Sequence, residues 1–380
     1  MMWIVESIFW GSVAFILYAY LGYFAILYLV SRFRCRTVQG GEICPTVSFV
    51  ITAYNEEARI KEKIQNTLGQ DYPAGRLEIV VASDCSTDRT DEIVKSYSTA
   101  GVRLIRAVER KGKEAAQKLA VAQTKGEILV FSDVATTLPP DGIANIVKSF
   151  NDPTVGCVSS VDRFVDEDGN LSGEGAYVRY EMMLRQLETT VNTLVGLSGS
   201  FFAARRSVCS PWVDDLQSDF NTLLNSVRAG LRGVSDPQSV GLYKNLSDEK
   251  KEYQRKVRTV LRGIAVLMRS LPMLNPFRYG LFAWQLFSHK LCRWLVPFAM
   301  ISALLSNLAL VTESVFYQVL LATQVCFYSM ALAYAWCHWV PKTNLLRLPS
   351  FFVLVNLSIL DAWLRYVRGD RVFQWEPSKR

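Results

Sequence analysis

The stretch VSFVITAYNEE, Val47–Glu57, decides how this chain is read. Val47–Thr52 is a short run of apolar, β-branched and aromatic residues that predicts a buried strand. From Glu56 to Leu68 the apolar positions Ile60, Ile64 and Leu68 fall on one face of a predicted helix. The same pairing recurs down the chain. LEIVVAS (Leu77–Ser83) predicts a second strand and Asp88–Tyr97 a second helix, and VRLI (Val102–Ile105) predicts a third strand. Lys113–Thr124, with Ala116, Leu119, Ala120 and Gln123 at helical spacing, predicts a third helix, and GEILVFSD (Gly126–Asp133) a fourth strand. Strands alternating with helices indicate an α/β fold with a mostly parallel sheet covered on both faces.

Such sheets bind ligands in the crevice outside the carboxyl ends of their strands. That rule selects Thr52-Ala53-Tyr54-Asn55-Glu56, Ser83-Asp84 and Ser132-Asp133. Asp84 and Asp133 stand directly at strand ends and are candidate functional acids. Asp88 sits in SDCSTDRTDE, a run rich in helix-capping chemistry, and reads as a cap. After Asp133 the chain continues VATTLPPD, so Ala135 occupies the place where a second metal-binding carboxylate is expected.

Outside this region the composition changes. Ile8–Val30, Leu295–Val311 and Val315–Val340 are apolar runs long enough to cross a bilayer, whereas residues 45–272 mix charge with apolar runs as a soluble domain does. The first run lacks a basic n-region and a small-residue cleavage site, so residues 1–31 read as a retained anchor. In residues 273–294, FRYGLFAWQLFSHKLCRW (Phe277–Trp294) alternates aromatics with Arg278, His289, Lys290 and Arg293, which predicts an amphipathic helix at the membrane interface. Residues 295–340 then supply two spans. A last apolar segment, 349–367, carries Asn356 and Asp361 and leads into Arg365, Arg368 and Arg371; it is expected to be a re-entrant, interfacial or fourth transmembrane segment before a basic tail, 368–380. Arg32, Arg34 and Arg36 after the first span, Lys290 and Arg293 before the second, and Lys342 and Arg347 after the third place the large domain on the cytoplasmic side. A multi-pass protein of the cell (inner) membrane is expected. The formal charge of +7 suits anionic lipid and equally an anionic substrate. The 8 cysteines include no CxxC pair and indicate neither a zinc site nor a disulfide framework. Nothing in the chain has the pattern of a nucleic-acid-binding module.

TAYNEE, VASDCSTDRT and RKGKEAAQKLAVAQTKGEILVFSD, in this order and spacing, resemble a family 2 glycosyltransferase with the nucleotide-sugar-binding GT-A fold. With its apolar spans the chain is similar to the integral-membrane branch that includes cellulose, hyaluronan and poly-N-acetylglucosamine synthases. The likeness runs from about Val47 to Trp294 and makes residues 45–272 the expected cytoplasmic GT-A domain. The resemblance implies an inverting enzyme that moves a hexose or N-acetylhexosamine from a nucleotide-diphosphate donor, expected to be a UDP-sugar. The acceptor is expected to be a glycan or a lipid-linked molecule, the membrane lipids a partner, and the pathway cell-surface polysaccharide synthesis. The competing expectation is a donor-binding scaffold that supports another synthase, for which Ala135 and Thr259 are the only signs.

The resemblance also implies roles. Thr52, Ala53, Tyr54 and Glu56 line the nucleoside pocket, and Asp84 holds the base; a carboxylate accepts from the ring N–H of uracil and rejects a base presenting an acceptor there. Lys113 opens a helix after Gly112, and an ammonium at a helix N-terminus suits a phosphate. Asp133 matches the first acid of the Asp-X-Asp motif, which handles the donor diphosphate and its divalent metal, magnesium or manganese. With Ala135 in the second acid's place one carboxylate remains, which suffices when substrate phosphates supply further oxygens. Asp219, in DDLQSDF beyond SGSFFAARR (Ser198–Arg206), matches the aspartate that takes the acceptor's proton. Asp214 and Asp215, beside a Pro-Trp turn, are weaker candidates. Gln254, Arg255 and Arg258 resemble the start of the Gln-X-X-Arg-Trp pattern of processive members, with Thr259 in place of tryptophan; on a helix Gln254 and Arg258 share a face.

Overall fold

The computed structural model describes residues 2–73, 75–165, 176–244, 249–336 and 344–370. Lys342 and, of the expected basic tail, residues 371–380 lie outside the described residues. The chain divides into two units. Among the described residues, one comprises 30–244 with 266–270 and the other comprises 2–29, 249–265 and 271–370.

The first unit is built on a seven-stranded sheet. Its strands are β1 (Val47–Ala53), β2 (Leu77–Ser83), β3 (Val102–Arg106), β4 (Ile128–Asp133), β5 (Val155–Val165), β6 (Phe201–Arg205) and β7 (Arg232–Lys244), in the order β3-β2-β1-β4-β6-β5-β7. The pairs β3-β2, β2-β1 and β1-β4 are parallel, as expected from the sequence, while β6 runs antiparallel to both β4 and β5. Alternate strand residues feed two cores. Phe49 and Ile51 pack with Ile60 and Ile64 of helix α1 (Ile60–Leu68) on one face. Val50, Val80, Leu129 and Phe131 pack with Ala116 and Ala120 of helix α2 (Lys113–Gln123) on the other. This is the two-residue period of a strand buried on both sides. Phe131 is held between Phe202 and Trp212, with ring centroids 4.8 and 5.0 Å away.

Helix α1 starts one turn later than its apolar spacing predicts. Asn55 takes a left-handed conformation (φ 51°) and the Glu56 amide donates to Thr90 Oγ1 at 2.8 Å, so the chain makes a turn before it can wind into a helix. The predicted second helix is likewise shorter, Thr90–Lys95.

In the other unit four helices are long and apolar enough to cross a membrane: Met2–Phe33, Leu281–Leu310, Val315–Tyr334 and Pro349–Val367. The last belongs to one continuous helix, Asn344–Val367. The expected interface helix over 273–294 is instead broken. A short helix Pro276–Tyr279 stops at Gly280, whose φ of 54° and ψ of −130° suit glycine. From Leu281 the chain runs unbroken to Leu310 through a π-helical turn, Phe287–Cys292. A second π-helical turn, Tyr18–Gly22, interrupts the first span. Polar groups join the two turns: Tyr18 Oη and Ser288 Oγ are 2.6 Å apart, and Trp284 Nε1 donates to Tyr18 Oη at 3.0 Å.

Candidate active site

Register brings the selected strand ends together. Thr52 of β1 pairs with Asp133 of β4, and Ala53 pairs with Ser83 of β2, so three carboxyl ends form one edge. Strand β6 enters antiparallel, with Phe201 opposite Ser132. The residues before β6 therefore pass beside Asp133, whose amide donates to Ser200 O at 2.9 Å.

Around Asp133 the contacts are charged. Gly112 (φ 103°, ψ 171°) takes a conformation that favours glycine and turns the chain into α2, delivering Lys113 as its first residue. Lys113 Nζ donates to Asp133 Oδ1 at 2.5 Å and to Gly199 O at 2.8 Å. Asp219 lies in the first turn of helix α3 (Ser218–Arg228), where the helix dipole favours a negative charge. Its Oδ2 accepts from Gln217 Nε2 at 3.1 Å and its Oδ1 from the Phe220 amide at 2.7 Å. A Cβ built on Gly199 would stand 2.5 Å from Asp219 Oδ2, so only glycine leaves room for the carboxylate. The run of contacts Asp133–Lys113–Gly199–Asp219, with ordinary covalent lengths across the glycine, holds the two carboxylates within about 12 Å of each other. Asp214 and Asp215 are committed elsewhere, to Lys118 at 3.2 Å and to Arg269 at 2.5 Å.

The β1–β2 end is closed. Asp84 is fully buried, and its carboxylate accepts from the Lys111 and Gly112 amides, both at 2.9 Å. Burial pushes its pKa above the usual carboxylate range, against the pull of those two bonds. Asp84 thereby clamps the turn that presents Lys113. Thr52 and Ala53 are fully buried within β1, with Thr52 Oγ1 accepting from Gln117 Nε2 at 3.2 Å. Glu56 is buried and paired with Arg59 at 2.7 Å; burial raises its pKa and Arg59 opposes the rise. Tyr54 alone of these four is partly exposed, and the Arg110 guanidinium lies 3.8 Å from the centre of its ring.

The structure adds residues that motif reading passed over. Lys63 is 2% exposed, and its Nζ donates to Ser132 Oγ at 2.8 Å and to Thr136 O at 2.6 Å. Burial lowers its pKa to about 7, with Asp133 pulling the other way. Its helical phase was the available signal, because Lys63 falls with Ile60, Ile64 and Thr67 on the buried face of α1. A second group holds the 198–200 segment in place. Ser198 Oγ and Tyr243 Oη donate to Asp162 Oδ1 at 2.7 and 3.1 Å, and Tyr243 also meets Ser200 Oγ. Asp162 and Tyr243 come from β5 and β7, strands that the repeating pattern did not reach.

As an octahedral metal site the residues fit poorly. Asp133 is already neutralised by Lys113, Ala135 offers no ligand atom, and no group of three or more His, Cys, Asp or Glu suited to a metal ion occurs among the described residues.

Gln254, Arg255 and Arg258 lie on the helix Glu249–Arg269 and belong, by position, to the other unit. Three residues separate Gln254 from Arg258, one more than the processive pattern has, which weakens the match. Arg255 is occupied by Glu252 at 2.8 Å, and Lys256 Nζ lies 4.1 Å from the centre of the Phe351 ring.

A mostly parallel sheet with an antiparallel insertion and acids at its carboxyl edge has the arrangement of a GT-A fold. Residues 48–211 match the family model Glycosyl transferase family 2. Among solved structures, the mannosyltransferase PcManGT from Pyrobaculum calidifontis, in complex with GDP-Man and Mn2+, superposes with a TM-score of 0.78 at 22% identity, covering 97% of this chain and 100% of that one. Similarity at this level concerns the fold. A beta-monoglucosyldiacylglycerol synthase from Synechocystis sp. is 30% identical over 171 residues, 43% of this chain and 36% of that protein. A hyaluronan synthase from Streptococcus pyogenes is 26% identical over 204 residues, 50% of this chain and 48% of that protein. The chain thus spans about half or less of the length of these relatives.

Proposed function

We propose that this protein is an inverting glycosyltransferase, taking a sugar from a nucleotide-diphosphate donor, in the first place a UDP-sugar, and passing it to a glycan or lipid-linked acceptor at the cytoplasmic membrane face. The observation that carries this reading is the meeting of Asp133–Lys113 with Asp219 across Gly199. An acceptor hydroxyl is a poor nucleophile until a positioned base takes its proton, and Asp219, held by Gln217 and the start of α3, is the group for that task. Its approach to within about 12 Å of Asp133 puts base and departing diphosphate in reach of one sugar ring. Tyr54 and Arg110, stacked at the end of β1, offer a flat surface for the base, while Asp84 fixes the turn that carries Lys113. The names of the relatives, a beta-monoglucosyldiacylglycerol synthase and a hyaluronan synthase, support an acceptor that is a lipid or a glycan, and the four apolar helices support its place at a membrane.

The test is release of nucleoside diphosphate by the purified full-length protein in detergent, across UDP- and GDP-sugars. Turnover is expected from wild type, and Asp219→Asn should lower it by about 10²- to 10⁴-fold while leaving diphosphate affinity nearly unchanged. A wild-type protein that binds the nucleotide and never turns over any donor would support the scaffold reading instead.

A further inference from the structure

Glycosyl transfer leaves a diphosphate whose charge grows as the glycosidic bond breaks, and some cation has to meet it. In this site the cation belongs to the chain. On the transferase reading above, we propose that Lys113 replaces the divalent metal, so that donor binding and transfer proceed without one.

Three observations carry this. The position from which a second acid would hold a metal is Ala135, a side chain without a ligand atom. The remaining acid, Asp133, holds an ammonium 2.5 Å from Oδ1, where a metal would have to displace it. That ammonium is built in rather than incidental. Lys113 has a side chain 8% exposed, is fixed on Gly199 O at 2.8 Å, and extends from a turn clamped through its Lys111 and Gly112 amides by Asp84. A second lysine, Lys63, bonds Ser132 Oγ and Thr136 O, which flank the Asp133–Ala135 segment, and so fixes that segment beside Lys113.

In the transfer, the acceptor oxygen bonds the anomeric carbon as the bond from that carbon to the β-phosphate oxygen breaks. The acceptor proton passes to Asp219, the electron pair of the broken bond leaves with the nucleoside diphosphate, and Lys113 takes up the added negative charge by donating to that phosphate. Asp133 orients the ammonium and is not asked to hold a metal.

The experiment uses full-length wild-type protein in detergent, titrated with UDP and GDP, and with UMP and GMP as controls, in EDTA and again in MnCl2. A diphosphate is expected to bind in EDTA within about threefold of its affinity in MnCl2. Lys113→Met should weaken that diphosphate by about 10- to 100-fold and leave the matching monophosphate within about twofold. Release of diphosphate from the sugar donor should persist in EDTA. Binding that appears only with Mn2+ overturns the metal-free proposal and leaves the transferase reading standing, as does a Lys113→Met protein that binds as wild type does. If neither UDP nor GDP binds in either buffer, both are overturned. Should Lys113→Met fail to fold, the wild-type comparison between EDTA and MnCl2 decides alone.

Discussion

The two halves of the sheet edge handle acids in opposite ways. At the β1–β2 end Asp84 and Glu56 are buried, one bonded to backbone amides and the other to a neighbouring arginine. At the β4–β6 end Asp133 keeps 24% of its side chain exposed and is matched by a lysine, and Asp219 lies against a glycine. Acids satisfied by fixed amides set the shape of a loop. Asp133, partly exposed and matched by the Lys113 ammonium, leaves that ammonium able to meet a substrate phosphate. The difference separates the groups that build the site from those available for chemistry.

The contrast between the two ends breaks most directly at Asp219. Against the expected loss of about 10²- to 10⁴-fold for Asp219→Asn, the neighbouring Asp215→Asn, whose carboxylate serves Arg269, should retain turnover within about threefold. Equal losses in the two would remove Asp219 from the role of base.

A smaller effect is expected at the glycine between the acids. Gly199→Ala puts a methyl 2.5 Å from Asp219 Oδ2 and pushes the carboxylate aside, so kcat should fall by about tenfold with little change in nucleotide affinity, since misplacing a reacting group by about 1 Å has costs of this order or more. Unchanged kcat would mean that Asp219 acts from another position.

At the closed end, Asp84→Asn keeps the size but turns an amide N–H₂ toward the backbone N–H groups of Lys111 and Gly112. A loss of about 1–3 kcal/mol in stability is expected, read as a lower thermal midpoint, together with weaker diphosphate binding because the turn also carries Lys113. A variant that loses nucleotide affinity at unchanged stability would instead make Asp84 a direct base contact.

The smallest effect concerns pH. The pKa of Lys63 is lowered by burial to about 7 in the folded chain, against an unfolded value of 10.5. Between those values the unfolded chain holds a proton that the folded chain has released, so this group's contribution to stability rises as pH rises through that window. The thermal midpoint of wild type relative to Lys63→Met should therefore increase from pH 7 to pH 9. A difference that stays flat or falls would show that Lys63 is charged throughout.

Much of the first half of the domain was legible in the chain. The strands ending at Thr52, Ser83 and Asp133 declare themselves because a strand buried on both faces must be a continuous apolar run, and Lys113 because a glycine precedes a helical pattern. Other features were hidden. Lys63 reads as a surface lysine until the phase of α1 is fixed by packing, and Asp162 and Tyr243 come from β5 and β7, which show no comparable alternation with helices. The Gln254–Arg258 pattern read more strongly in one dimension than its three-residue spacing warrants.

The sequence by itself determined the parallel sheet, the acids at its strand ends and the apolar helices, since each follows from the period or length of a local pattern. Only the tertiary structure decided what those acids do. It sealed Asp84 under two amides, matched Asp133 to Lys113 rather than to a second acid, and set Asp219 against Gly199. The physical reason is that an acid's role depends on the charges, donors and solvent around it, and here these come from residues far apart along the chain.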